Sequence, residues 1–142
     1  MLVEKLKEVT NLIGWEFNYG KGHWQNLQDL PDDSDSEFEE RKKYFLLLWK
    51  DRVFKLNEYS AIEGYEYQAE AILCVRSNIH DEDYNFKYEE HISKLEQEVG
   101  KMFEEFTSCD NWTIKRWKEI EVENQYDTNL DGIKIQFTFS YE

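Results

Sequence analysis

From Ile133 to Tyr141 apolar and polar residues alternate without a fault. Ile133, Ile135, Phe137, Phe139 and Tyr141 fall on one side, and Lys134, Gln136, Thr138 and Ser140 on the other. Successive side chains of a strand point to opposite faces, so this segment predicts a strand that covers a core on one side only. The carboxyl end is thus expected to be a member of a sheet. At the other end, Leu2, Leu6, Val9 and Ile13 recur at helical spacing and Gly14 follows, which predicts a short amphipathic helix with one buried stripe. Trp15 to Tyr19 is a possible short strand.

Tyr44 to Trp49 is continuously apolar, as expected of a strand covered on both faces, by a helix or by another subunit. It is expected to run on through Val53 and Phe54 toward Leu56. After a turn or wide loop over Asn57 to Gly64, Tyr65, Tyr67, Ala69, Ala71, Leu73 and Val75 occupy one face of a long strand, with Glu66, Gln68 and Glu70 on the other. An antiparallel hairpin is the simplest pairing of these two strands. Tyr88, Ile92, Leu95, Val99, Met102, Phe103 and Phe106 then repeat at helical spacing over five turns, interrupted by Gly100 at a cost of about 1 kcal/mol relative to Ala. Cys109-Asp110-Asn111 ends that helix, and Trp112, Ile114, Ile120 and Val122 mark a strand pair or one bent strand before the terminal hairpin. The predicted fold is α+β: a mostly antiparallel sheet of two hairpins packed by one long helix, with a short N-terminal helix.

Composition narrows the class. The 142 residues suit one domain spanning 1–142, and five Trp, nine Tyr and nine Phe against one Pro argue for an ordered core. Seventeen basic and thirty-one acidic residues give a net charge of −14, which repels nucleic-acid phosphates and argues against sequence-specific DNA or RNA binding. Seven of the acids, Asp29, Asp32, Asp33, Asp35, Glu37, Glu39 and Glu40, crowd one stretch with no base, an acidic loop expected to stay extended and wet. Cys74 and Cys109 are too few for a disulfide framework, and Cys74, inside an apolar strand, reads as a small buried thiol. No apolar run approaches the roughly 18 residues that cross a bilayer, and no membrane partner is expected.

Several local patterns imitate chemistry. Asp127-x-Asn129-x-Asp131-Gly132 fits the first half of a calcium-binding EF-hand loop, but the twelfth position is Thr138 where a bidentate Glu is needed, and a strand follows where a helix should begin. A hairpin turn closed by Asp131-Gly132 is the expectation. His23, His80 and His91 stand in no HxxxH or HxH arrangement, so no zinc site is indicated, and no Walker loop, Gly-x-Ser-x-Gly elbow or CxxC pair occurs. No catalytic residue, no metal and no cofactor is therefore expected.

The order of a short helix, a hairpin built on Phe45-Leu46-Leu47-Leu48-Trp49 and Tyr65-Glu66-Tyr67, a long helix, and closing strands ending in Asn129-Leu130-Asp131-Gly132-Ile133-Lys134-Ile135-Gln136-Phe137-Thr138-Phe139-Ser140-Tyr141 resembles the small neck proteins of tailed bacteriophages. It is similar in particular to tail-terminator or tail-completion proteins and to the stacked ring proteins of crAss-like phages. The resemblance implies a non-enzymatic virion subunit, made in the host cytoplasm. It would form a sixfold or twelvefold ring between a portal-bound adaptor and the tail, around a channel through which DNA passes without specific binding. The acidic loop has no counterpart in that pattern; its Asp32, Asp33, Asp35 and Glu37 are candidates to face a channel or a partner.

Closed rings use heterologous contacts, one patch on each subunit meeting a different patch on the next. Trp and Tyr anchor such contacts well, so Trp24, Trp49 or Trp117 is expected at a subunit boundary. Two other classes stay open: an acidic DNA mimic that occupies the basic groove of a nucleic-acid-binding protein, and a small metal-dependent enzyme using the carboxylates of Asp32 to Glu40 and His80.

Overall fold

The computed structural model describes residues 2–20, 41–76, 92–108, 111–125 and 130–142. Among these residues two helices, α1 (Leu2–Leu12) and α2 (Ser93–Thr107), accompany five strands: β1 (Glu16–Tyr19), β2 (Lys43–Leu56), β3 (Ile62–Arg76), β4 (Trp112–Gln125) and β5 (Leu130–Tyr141). The strands form one sheet in the order β1-β2-β3-β5-β4. β1 lies parallel to β2, while the β2–β3, β3–β5 and β4–β5 ladders are antiparallel.

This corrects the expected fold class. Among the described residues no single long helix packs two hairpins. The helices have 11 and 15 residues, both lie on one face, and they pack on a mixed five-stranded sheet. Two features of the chain account for the difference. Alternation in β3 and β5 is read equally well as two hairpins or as one continuous surface, and only the pairing of β3 with β5 decides between them. The four residues of β1 are too few to show a period, yet they add a parallel strand outside β2.

The core fills the space between the helices and the sheet. Leu2, Leu6 and Val9 of α1, and Leu95, Val99, Met102 and Phe106 of α2, close on Phe45, Leu47, Tyr67, Leu73, Ile135, Phe137 and Phe139. A large apolar side chain fully buried in this way contributes roughly 1.5–3 kcal/mol. Phe106 sits on Phe139 with ring centroids 4.2 Å apart and meets Trp112 edge to face. Glu98 of α2 ties the layers together: it accepts a hydrogen bond from the Trp15 indole at 3.1 Å and lies 3.8 Å from the Lys43 ammonium. Gly14, at φ +82°, ends α1 in the left-handed region where a side chain would be strained. On the opposite face of the sheet, Tyr44, Leu46, Ile72 and Cys74 form a second buried cluster, so the upper part of β2 is covered on both faces.

Two bulges in the edge strands change which residues face the helices. In β2 the register slips between Leu47 and Trp49, and in β4 between Ile114 and Arg116. One extra residue exchanges the faces of everything beyond it. Trp49, Asp51 and Val53 therefore lie on the side away from the helices, and Lys50, Arg52 and Phe54 on the helix side. In β4 the simple alternation of Trp112, Ile114, Ile120 and Val122 breaks: Trp117, Glu119 and Glu121 align with Phe137, Ile135 and Ile133 of the helix face, while Ile120 is exposed on the other face. The Asp131-Gly132 turn is also corrected, because β5 begins at Leu130 and both residues are strand members.

Gly132 has a specific reason to be glycine, since a Cβ there would come within 1.9 Å of the Leu73 carbonyl oxygen and 2.7 Å of the Cys74 Cα. Gly132→Ala should force the β3–β5 ladder apart and lower stability by about 1–3 kcal/mol in a urea titration. Gly100 is the reverse case: exposed on α2, with nothing within 4 Å of a built Cβ. Gly100→Ala should raise stability by about 1 kcal/mol in the same titration.

Candidate functional site

Among the described residues, most large apolar side chains left in water belong to one structure, the far half of the β2–β3 hairpin. Val53, Phe54, Leu56, Tyr59 and Ile62 are all exposed, Tyr59 at 82%. β5 stops pairing with β3 at Tyr65, and the chain end reaches as far as Lys55 and Gly64, so the chain from Leu56 to Glu63 projects past the sheet as an arm. The turn at its tip is built rather than slack. The Asn57 side-chain oxygen accepts hydrogen bonds from the Tyr59 and Ala61 amides at 2.9 and 3.0 Å, and Ser60 adopts φ +61° to close it. An Asx-type turn of this kind holds Tyr59 out in one conformation before any partner arrives.

The sheet ends in two open edges. β1 covers β2 only over Tyr44–Leu47, and among the described residues no strand other than β3 pairs with β2 from Trp49 onward, so its outer side is open there. β4 closes the other side, also without an outer partner among the described residues. Open edges invite pairing with another chain. The two edges differ in charge on the helix side. Along β2 stand Lys50, whose ammonium lies 5.9 Å from the Tyr67 ring centroid, and Arg52, stacked on Phe54 and Tyr65 at 4.9 and 5.0 Å. Along β4 stand Glu119 and Glu121, close to Glu96 of α2. Burial, together with the Glu119 and Glu121 charges, holds the Glu96 carboxyl above its ordinary value.

Between the edges, the face away from the helices is a polar ladder. Lys115 pairs with Glu66 at 3.0 Å and Lys134 with Glu70 at 2.9 Å. Lys55 bonds the Ser140 hydroxyl and pairs with Glu142 at 2.8 Å. A groove of about 200 Å³ crosses this face, lined by Trp49, Gln68, Gln136, Thr138 and Arg116. Small-molecule sites typically enclose about 300–1,000 Å³ of mostly apolar space, so the groove is small and polar for that use. Among the described residues no group of three His, Cys, Asp or Glu could hold a metal ion, and no helix is long and apolar enough to cross a membrane.

The residues singled out from sequence fall in different places. Trp49 is half-exposed on the β2 edge. Trp117 belongs to β4 and packs at the margin of the core, 4.7 Å from Phe103 and 5.5 Å from Phe137, with its indole donating to Glu119 at 2.9 Å. Trp24, the acidic loop with Asp32, Asp33, Asp35 and Glu37, and all three histidines lie outside the described residues. Cys74 is buried, as expected. Sequence reasoning misses the arm, because Asn57 to Gly64 reads as a turn or wide loop. The available signal was Val53, Leu56, Tyr59 and Ile62, apolar positions continuing past the point where the other strands can cover them.

The Glu96 environment gives a pH test with a definite sign. A carboxyl whose folded value is raised binds its proton more tightly in the folded chain, so its ionisation costs stability as pH rises through that range. In dilute solution Glu96→Gln should raise the melting temperature at pH 7, and the gain should fade on acidification and be gone by about pH 4. A gain of equal size at both pH values would contradict the carboxylate cluster. A scan against models of known protein families finds none that matches this chain, and a search of curated proteins finds no match either.

Proposed function

We propose that the chain is a structural subunit that assembles with copies of itself into a ring, of the kind that joins head and tail in tailed bacteriophages. The observation that carries this reading is the pre-formed apolar arm at Val53–Ile62, set beside two sheet edges of unlike character. An isolated molecule gains nothing from holding Tyr59, Leu56 and Ile62 in water. A contact that buries them regains the hydrophobic term, at little ordering cost because the turn is already fixed. Because the two edges are unlike, the contact that uses both is heterologous, which closes into a ring or continues as a filament.

The rest of the reading follows from the resemblance in element order. The ring would be sixfold or twelvefold, sit in the virion neck between a portal-bound adaptor and the tail, and surround passing DNA. A net charge of −14 suits a channel wall that DNA must slide past without sticking. The DNA-mimic alternative draws less support. Five of the described carboxylates, Glu16, Glu66, Glu70, Glu98 and Glu142, are engaged by lysines of the same chain and are not arrayed for a basic partner.

The arm provides the test. Tyr59→Ser combined with Ile62→Ser removes its two tip anchors without touching the core. Truncating well-packed interface anchors costs about 2 kcal/mol or more, so self-association should weaken at least about thirtyfold in sedimentation velocity at low salt, with an unchanged melting temperature. Wild-type chain that stays monomeric up to millimolar concentration would contradict the ring reading.

A further inference from the structure

We propose that the β2 edge of one copy docks antiparallel against the β4 edge of the next, so that Lys50 and Arg52 meet the neighbour's Glu119 and Glu121 on a continuous sheet. The proposal rests on the ring reading and specifies its contact.

Strand direction comes first. β2 opposes β3, β3 opposes β5, and β5 opposes β4, so β2 and β4 run in opposite directions. A second copy joined side by side with the same face up therefore brings its β2 against β4 in antiparallel sense, the pairing already used by three of the four ladders.

Faces agree as well. With the sheet continuous, the helix side of one copy continues into the helix side of the next. Lys50 and Arg52 lie on that side of β2, aligned with Ala69 and Tyr67; Glu119 and Glu121 lie on that side of β4, aligned with Ile135 and Ile133. Among the described residues no carboxylate is within ion-pair distance of Lys50 or Arg52. On the opposite face, exposed Val53 and Trp49 of β2 would meet exposed Ile120 of β4. Both faces of the joint are thus complementary, charge with charge and apolar with apolar.

The same charges disfavour the alternatives. A twofold contact between two β2 edges sets Lys50 and Arg52 against themselves, and one between two β4 edges does the same to Glu119 and Glu121. Like charges directly opposite each other across a ladder are destabilising. In the unlike pairing, two to four residues of stagger, roughly 7–13 Å at about 3.3 Å per residue, align the opposite charges. At four residues of stagger the neighbour's β4 overlaps β1 only with its last residues, past the irregularity after Val122, and its Trp112 end slides alongside the projecting arm, where Phe54 and Leu56 gain cover.

Two charge-reversed chains test the contact. One carries Lys50→Glu and Arg52→Glu, the other Glu119→Lys and Glu121→Lys; all four positions are on the edges, and circular dichroism checks that each chain folds. Each chain alone should be monomeric in native mass spectrometry under conditions where wild type assembles. An equimolar mixture should assemble again with the two chains alternating, and should fall apart in 0.5 M salt, where the Debye length is only about 4–5 Å. If each reversed chain assembles as wild type does, or if the mixture stays monomeric, the edge contact is wrong while the ring reading stands. If wild type itself never assembles, both fall. Carbodiimide coupling of mixed isotope-labelled wild-type chains requires no substitution and gives an independent readout. Peptides joining Lys50 of one copy to Glu119 or Glu121 of another are expected, and intermolecular products that all exclude these residues would overturn the proposal.

Discussion

Everything in this molecule depends on the ladder between β3 and β5. Its twelve residue pairs, from Tyr65 with Tyr141 to Arg76 with Leu130, join a hairpin from the first half of the chain to one from the last. Side chains on the two strands share one face, so Tyr67, Ala71 and Leu73 line up with Phe139, Ile135 and Ile133 as a single apolar floor. Neither hairpin alone is wide enough to bury the stripes of both helices. Once joined, they are, and Gly132 marks how closely the two backbones must approach for this to happen.

The consequences appear at the margins. A sheet with its hydrophobic ladder at the centre has to end somewhere, and this one ends at β4 on one side and, past the short β1, at the open half of β2 on the other, both of them bulged. The bulge in β2 turns Trp49 away from the helices and Lys50 toward them. That in β4 turns Glu119 and Glu121 toward the helices and leaves Ile120 outside. Edge strands of natural sheets are commonly protected from indiscriminate pairing by bulges and inward-pointing charges. Here the protection is selective: each edge repels its own kind, and each matches the other in sign and in face.

Individual strands and helices were legible in the sequence wherever a period was long enough to be unambiguous. The alternation of Ile133 to Tyr141, the Tyr65 to Val75 face and the stripe of α1 correspond to elements of the structure. How they assemble was not legible, because alternation fixes which side of a strand is apolar and says nothing about which strand lies beside it. The stripe beginning at Tyr88 suggested a longer helix than Ser93–Thr107, and residues before Ile92 lie outside the described set. The sequence marks Ile120 as an apolar member of a strand but does not show its face, which the extra residue at Lys115 sets away from the helices. Of the candidate interface residues, Trp49 and Trp117 stand on opposite edge strands, a relation visible only once the strand order is known. The apolar arm escaped notice because turn chemistry at Asn57 and Ser60 outweighed the hydrophobic residues around it.

Amide hydrogen exchange, compared between dilute and concentrated wild-type chain at low salt, measures most directly whether the sheet edges are where copies meet. The β3–β5 amides should be protected equally in both samples. Amides from Trp49 to Leu56 and from Lys115 to Glu121 should slow markedly only in the concentrated one. Edge-strand amides that exchange at the same rate in both samples, while protection appears on the outer surfaces of α1 and α2, would contradict assembly through the sheet edges.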